Sequence, residues 1–151
     1  MSSMGERLMG LLTGVELTKL KKISHPKGDI FHALKSSEDS FSGFGEAYFS
    51  SVNSGEIKGW KKHTQMVMNL IVPVGAIIFY IYDDVLSQGI KYQLGEDNYY
   101  RLTIQPGYWV AFEGVGTGLN LLLNIGSIEH NPSESINLPL QTFPLASECG
   151  T

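Results

Sequence analysis

The run Lys58-Gly59-Trp60-Lys61-Lys62-His63-Thr64-Gln65 gathers the side chains best able to do chemistry in this sequence. A neutral imidazole is well matched to removing a moderately acidic proton near neutral pH. Lys58, Lys61 and Lys62 add positive charge beside His63, which suits a diphosphate or a developing enolate oxygen. Without chemistry, the same residues read as a solvated lysine pair next to a surface histidine. The other histidines offer less. His25 and His130 fall in turn sequences near prolines, and His32 alternates with hydrophobic residues. Trp60 and Trp109 have faces that can stack on a nucleobase or sugar, or pack in a core or at its rim.

Metal chemistry fits poorly. A metal-binding cupin brings two histidines one residue apart to this region, then a glutamate, and a further histidine after a later Pro-Gly turn. This chain has His63, Gln65, Asn69 and Val110 at those places. One imidazole does not make a first-row metal site, so neither a metal nor another cofactor is expected. Gly114-Val115-Gly116-Thr117-Gly118 looks like a phosphate loop, but the strand-like Leu119 to Leu123 follows it where a helix is required. A hairpin loop is the expectation there. Asn131-Pro132-Ser133 is no glycosylation site, because proline occupies its middle position. The only cysteine, Cys149, can form neither an internal disulfide nor a multi-cysteine metal site, which favours a reducing compartment.

The elements that must position these groups are bounded by size and composition. The 151 residues suffice for one domain with a real core, expected over 1–151 with 1–14 and 136–151 as peripheral tails. Eleven basic against fifteen acidic residues give a charge of -4, and only Arg7 and Arg101 are arginines, which argues against a nucleic-acid partner. No stretch approaches the roughly 20 apolar residues of a membrane-spanning helix, since Asn69, Pro73 and Gly75 interrupt the closest run. Leu8-Met9-Gly10-Leu11-Leu12 is too short for a secretory signal, so a cytoplasmic location without a membrane partner is expected.

Turn residues recur at short intervals, and no long helical period is present. Strands are expected near Val15–Ile23, Ile30–Leu34, Gly45–Val52, Ile57–Trp60, Met66–Val74 and Ile77–Tyr82. Three more fit Tyr99–Ile104, Tyr108–Phe112 and Leu119–Ile128, and a short helix is the reading for Glu6–Leu12. The class expected is all-β, a sandwich or barrel.

Lys27-Gly28-Asp29-Ile30-Phe31, Phe44-Gly45-Glu46-Ala47-Tyr48-Phe49-Ser50 and Ile57 to His63 then follow in a familiar order. Leu70 to Gly75, Tyr80 to Asp83 and Leu102 to Gly107 continue it. Over roughly residues 15 to 135 this order resembles the dTDP-4-dehydrorhamnose 3,5-epimerase family, and within it members that serve bacterial spore coat polysaccharide biosynthesis. The resemblance implies a metal-free cupin-like double-stranded β-helix, a jelly roll barrel, acting as a homodimer. It implies a nucleotide-activated 4-keto-6-deoxy sugar as substrate, whose ketone acidifies the protons at C3 and C5. In that family the base is the histidine of an Arg-Gly-x-His motif. Lys58-Gly59 and His63 match that motif here, with Lys for Arg and two extra residues before the histidine. His63 is therefore the implied base, Lys27 and Lys58 the diphosphate or enolate contacts, and Glu46 the partner of sugar hydroxyls. Tyr48 and Trp60 are implied as further substrate contacts.

The chain also departs from the family. The catalytic tyrosine aligns near Asn124, which cannot donate a proton as a phenol does. A lysine and an aspartate that face each other across the family's pocket fall near Met68 and Phe79. The aspartate that orients the base belongs to a C-terminal region with no counterpart expected here, leaving Tyr48, Tyr80 and Tyr82 as candidate acids and the base unoriented. Three readings follow: an epimerase or isomerase, a sugar ketoisomerase, which Gln65 in place of a second histidine speaks against, and an impaired sugar-nucleotide-binding or scaffold protein.

Overall fold

Alternating apolar and polar residues build strands whose two faces meet different surroundings, and that alternation organises this chain. The computed structural model describes residues 7–9 and 12–147. In chain order the strands are β1 (Arg7–Met9), β2 (Val15–Lys19), β3 (Lys22–Ile23), β4 (Ile30–Phe31), β5 (Glu46–Ser51), β6 (Ile57–His63) and β7 (Met68–Val74). They continue with β8 (Ala76–Asp83), β9 (Gln88–Gly95), β10 (Tyr100–Ile104), β11 (Trp109–Gly114), β12 (Leu121–Gly126) and β13 (Ser135–Asn137). One sheet has the order β1-β2-β10-β7-β12-β5 and the other β13-β6-β11-β8-β9, while β3 and β4 form a separate hairpin. The two sheets face each other as a cupin-like jelly roll, the all-β class expected.

The core lies between them. Leu17, Leu70, Leu102, Ile104 and Leu122 point inward from the six-stranded sheet, and Ile77, Phe79, Ile81, Ile90 and Leu94 from the five-stranded one. Burial of such side chains stabilises by about 1.5–3 kcal/mol each. Each sheet also has a covered outer face. On the six-stranded sheet, the fully buried Arg101 guanidinium donates to Ala33 O at 2.7 Å, Glu38 Oε2 at 2.8 Å and Ser40 Oγ at 2.7 Å, which pins the segment 32–44 over the strands. On the other sheet, Trp60, Tyr80, Trp109 and Ala111 pack under Leu138, Leu140 and Phe143.

Several expectations change. Arg7–Met9 is a strand antiparallel to β2, with Leu8 opposite Leu17, where a helix was expected; pairing at the sheet edge outweighs a weak local preference. Strand β9 was missed. Its Ile90, Tyr92 and Leu94 alternate inward, but glutamines, glycines and a lysine dilute the signal. The glycine loop after β11 is followed by a strand, yet not as a hairpin: β11 and β12 lie in different sheets. Asn120 closes that crossover, accepting from Ala76 N at 3.0 Å and donating to Gly116 O at 2.9 Å. Within the segments expected as peripheral tails, Leu12 is buried in the core and β13 pairs with β6. The terminal Cys149 lies outside the described residues.

Candidate active site

A cavity of about 370 Å³ opens between the two sheets, within the size range of small-molecule sites. Strand β6 brings Lys58, Lys61 and His63 to one wall, beside Val110 and Phe112 of β11. Tyr48 and Ser50 of β5, with Asn124 of β12, form the polar part of the opposite wall, over Met68, Leu70 and Leu122. Asn137 and Leu138 close the side next to β13.

A bulge in β6 sets the cationic wall. Opposite β11, Lys61 pairs with Val110 and Lys58 with Phe112, so Gly59 and Trp60 together oppose Ala111 alone. The extra residue shifts the alternation and puts Lys58, Lys61 and His63 on the cavity side while Trp60 and Lys62 turn outward. The bulge needs a glycine. Gly59 has φ +152, and a Cβ there would stand 2.4 Å from that of Ala111. Lys58 Nζ donates to Ser51 O at 2.6 Å and lies 5.9 Å from the centre of the Phe112 ring.

His63 is buried, and its Nδ1 is 2.8 Å from Oε1 of the equally buried Glu134. The other carboxylate oxygen, Oε2, accepts from Gln65 N at 2.9 Å and Met66 N at 2.8 Å. Burial pushes the Glu134 carboxyl towards the neutral form, but the His63 ring and the two backbone N–H groups outweigh it and hold its pKa below the ordinary carboxylate range. An ionised carboxylate only accepts, so Nδ1 donates to Glu134, and in the neutral ring the lone pair is then on Nε2. Glu134 is placed by a short 3-10 helix, Pro132–Glu134, capped by Asn131, whose side chain accepts from Ser133 N. Thr64 fastens this turn to the end of β6, its N and Oγ1 donating to Glu134 O at 2.9 and 2.7 Å. A histidine held in this way has the tautomer and the ionised partner that general-base chemistry requires.

Comparison with known proteins gives the chain its relatives. A crystal structure of a dTDP sugar isomerase from Desulfovibrio desulfuricans G20 is 32% identical, with a TM-score of 0.87 over 92% of this chain and 94% of that one. The chain belongs to the dTDP-4-dehydrorhamnose 3,5-epimerase family. It therefore stands among carbohydrate-modifying enzymes. The spore coat polysaccharide biosynthesis protein SpsL of Bacillus subtilis is 26% identical over 129 residues, 82% of this chain and 85% of that protein. The fold is shared with a dTDP-4-dehydrorhamnose 3,5-epimerase from Sulfolobus tokodaii at 18% identity, with a TM-score of 0.79 over 91% of this chain and 86% of that one. No family model matches the sequence.

Against what this epimerase family implied, the expected site residues divide. His63, Lys58 and Tyr48 meet at the cavity. Trp60 borders it, yet its indole lies in the outer aromatic cluster, donating to Leu140 O at 2.9 Å and meeting the Phe143 ring edge-on at 5.7 Å. It is a packing residue, not a stacking platform, because the bulge turns its side chain away. Glu46 does not line the cavity: its carboxylate accepts from His130 N at 2.8 Å and ties down the chain after β12. Lys27 sits in the exposed turn joining β3 to β4, also outside the lining. Tyr80 and Tyr82 face the outer cluster, where Tyr80 donates to Glu113 Oε1 at 2.7 Å. Lys62 lies 5.0 Å from the Trp109 ring centre and 3.9 Å from Asp84, on that same outer face.

His63 was expected to lack a carboxylate partner, and Glu134 supplies one. It comes from an Asn-Pro-Ser-Glu turn, whose capping asparagine and first-turn proline are the legible signals of a short helix with an acidic residue. Among the described residues no group of three or more His, Cys, Asp or Glu side chains is placed to hold a metal.

Proposed function

We propose that this protein is an epimerase acting on a nucleoside-diphosphate 4-keto-6-deoxy sugar, with His63 as the base. The observation that carries the reading is the buried His63–Glu134 hydrogen bond at the edge of the cavity. Nε2 of His63 takes the proton from a carbon next to the ketone. The electron pair moves onto the carbonyl oxygen, and the ammonium groups of Lys58 and Lys61 favour the resulting enolate or the diphosphate. Glu134 balances the imidazolium that forms. Return of a proton to the other face of the carbon completes the inversion.

The family relationship and the likeness to SpsL support the substrate class and a role in polysaccharide biosynthesis. Lys27 meets a diphosphate only if a second copy brings its β3–β4 turn to the cavity, which is the homodimer expected from the sequence.

The test is proton NMR of dTDP-4-keto-6-deoxyglucose in D2O, with the intact protein and with His63→Ala. Deuterium is expected at C3 or C5 with intact protein, and to be lost with the variant by about 10²–10⁴-fold. Migration of the carbonyl to C3 would make the protein a ketoisomerase instead. Shifted nucleotide signals without any exchange would make it a binding protein.

A further inference from the structure

We propose that Tyr48 is the acid of the reaction, presented by Asn124 from the wall opposite His63; this rests on the enolising role given to His63 above. Inverting a carbon needs a proton donor on the face away from the base. His63, Lys58 and Lys61 all belong to β6, so the donor must come from the other sheet. Among the residues that line the cavity there, only Tyr48 and Ser50 carry an O–H group. A phenol, with an ordinary pKa near 10, gives up its proton far more readily than an alkyl hydroxyl.

The hydrogen bonding of Tyr48 suits that role. Tyr48 and Asn124 are directly opposed on β5 and β12. The Asn124 amide Nδ2 donates to the Tyr48 oxygen at 3.0 Å. The phenol therefore accepts from the protein, and its own proton remains available to the cavity. The same amide stays in place to donate to the phenolate oxygen left after transfer. Asn124 is almost fully buried, and its Oδ1 has no hydrogen-bond partner among the described residues. A buried amide oxygen left unpaired within a cavity wall suits a ligand that brings a donor, and a sugar hydroxyl is one. The family's acid position is thus occupied by a side chain that positions an acid, and the phenol itself stands one strand away.

The proton balance is complete. His63 Nε2 receives the proton from carbon, and the pair passes to the ketone oxygen. When the enolate collapses, carbon takes the Tyr48 proton from the opposite face, leaving a phenolate. Water then returns a proton to Tyr48 and removes the one held by His63.

Deuterium incorporation and inversion separate the two roles. In D2O with dTDP-4-keto-6-deoxyglucose, Tyr48→Phe is expected to keep deuterium entry within several-fold of the intact protein, because imidazolium exchanges with solvent and returns deuterium to the same face. Its inverted product is expected to fall by about 10²-fold or more. Asn124→Leu is expected to lower the ratio of inversion to exchange in the same sense, less severely. Tyr48 is substantially exposed, so its variant is expected to melt with the parent. Inversion by Tyr48→Phe at the parental rate overturns the proposal, as does an equal fall in exchange and inversion, which would make Tyr48 a binding residue. Absence of exchange in the intact protein overturns the role of His63 and this inference with it. Exchange without loss of inversion in Tyr48→Phe overturns this inference alone.

Discussion

Nδ1 of His63 and Oε1 of Glu134, 71 residues apart in sequence, stand 2.8 Å apart in a buried pair. The spacing explains how a histidine at the end of an edge-adjacent strand acquires a defined tautomer. β13 pairs with β6, Ser135 opposite His63, and so fixes the preceding turn against the imidazole. Glu134 holds the ring through one oxygen and the turn after β6 through the other.

Replacing Glu134 by Gln removes the ionised acceptor while keeping the volume. Deuterium exchange into the keto sugar should fall by about 10²–10⁴-fold, as in other sites where a histidine base loses its carboxylate. Nucleotide binding should change much less, since Glu134 is not among the residues lining the cavity. Titration with dTDP alongside exchange rates checks both, and exchange at the parental rate would show that the pair is only structural.

The same carboxylate ties stability to acid pH. Its folded pKa lies below the ordinary value, so the unfolded chain takes up its proton first as pH falls. The stabilisation is fully present above the unfolded carboxyl pKa and is lost as pH falls through the folded one. Urea midpoints of the parent and of Glu134→Gln should therefore differ most near neutrality and converge on acidification. A gap that stays constant with pH would assign the loss to packing alone.

His63 and the glycine of the Lys58-Gly59 pair were legible in the sequence because local order carries them, and so were most of the strands. Trp60 was misplaced because a bulge, set by the opposing Ala111, decides which way it faces. The pairing of Glu134 with His63, and of Tyr48 with Asn124, could not be read locally. Each depends on strand pairing between segments about 70 residues apart, which periodicity along a single strand does not encode.

Arg101 and Glu38 are a long-range pair of another kind, buried on the outer face of the six-stranded sheet. Arg101→Met leaves the Glu38 carboxylate without its cation under the 32–44 segment. A loss of about 3–5 kcal/mol in urea unfolding is expected. Adding Glu38→Gln should recover part of it, because the uncompensated charge is then gone. Additive losses in the double variant would show that the two side chains stabilise the fold independently.

Two tyrosines make the opposite prediction to Glu134 at high pH. Burial pushes Tyr92 up to about 12, and burial followed by the Glu113 hydrogen bond and charge does the same to Tyr80. A folded pKa above the unfolded value near 10 means that the unfolded chain loses these protons first as pH rises. Stability from these groups is thus present below about pH 10 and declines from there towards pH 12. Tyr92 adds a second effect, because its hydroxyl is buried without a hydrogen-bond partner among the described residues. Tyr92→Phe removes that unpaired group, and a gain of about 1 kcal/mol at neutral pH is expected. The gain should widen as the pH rises above 10, since the variant no longer has a phenol to ionise on unfolding. Urea midpoints at pH 7 and pH 10.5 measure both terms, and a variant less stable than the parent at both would mean that the hydroxyl is satisfied in solution.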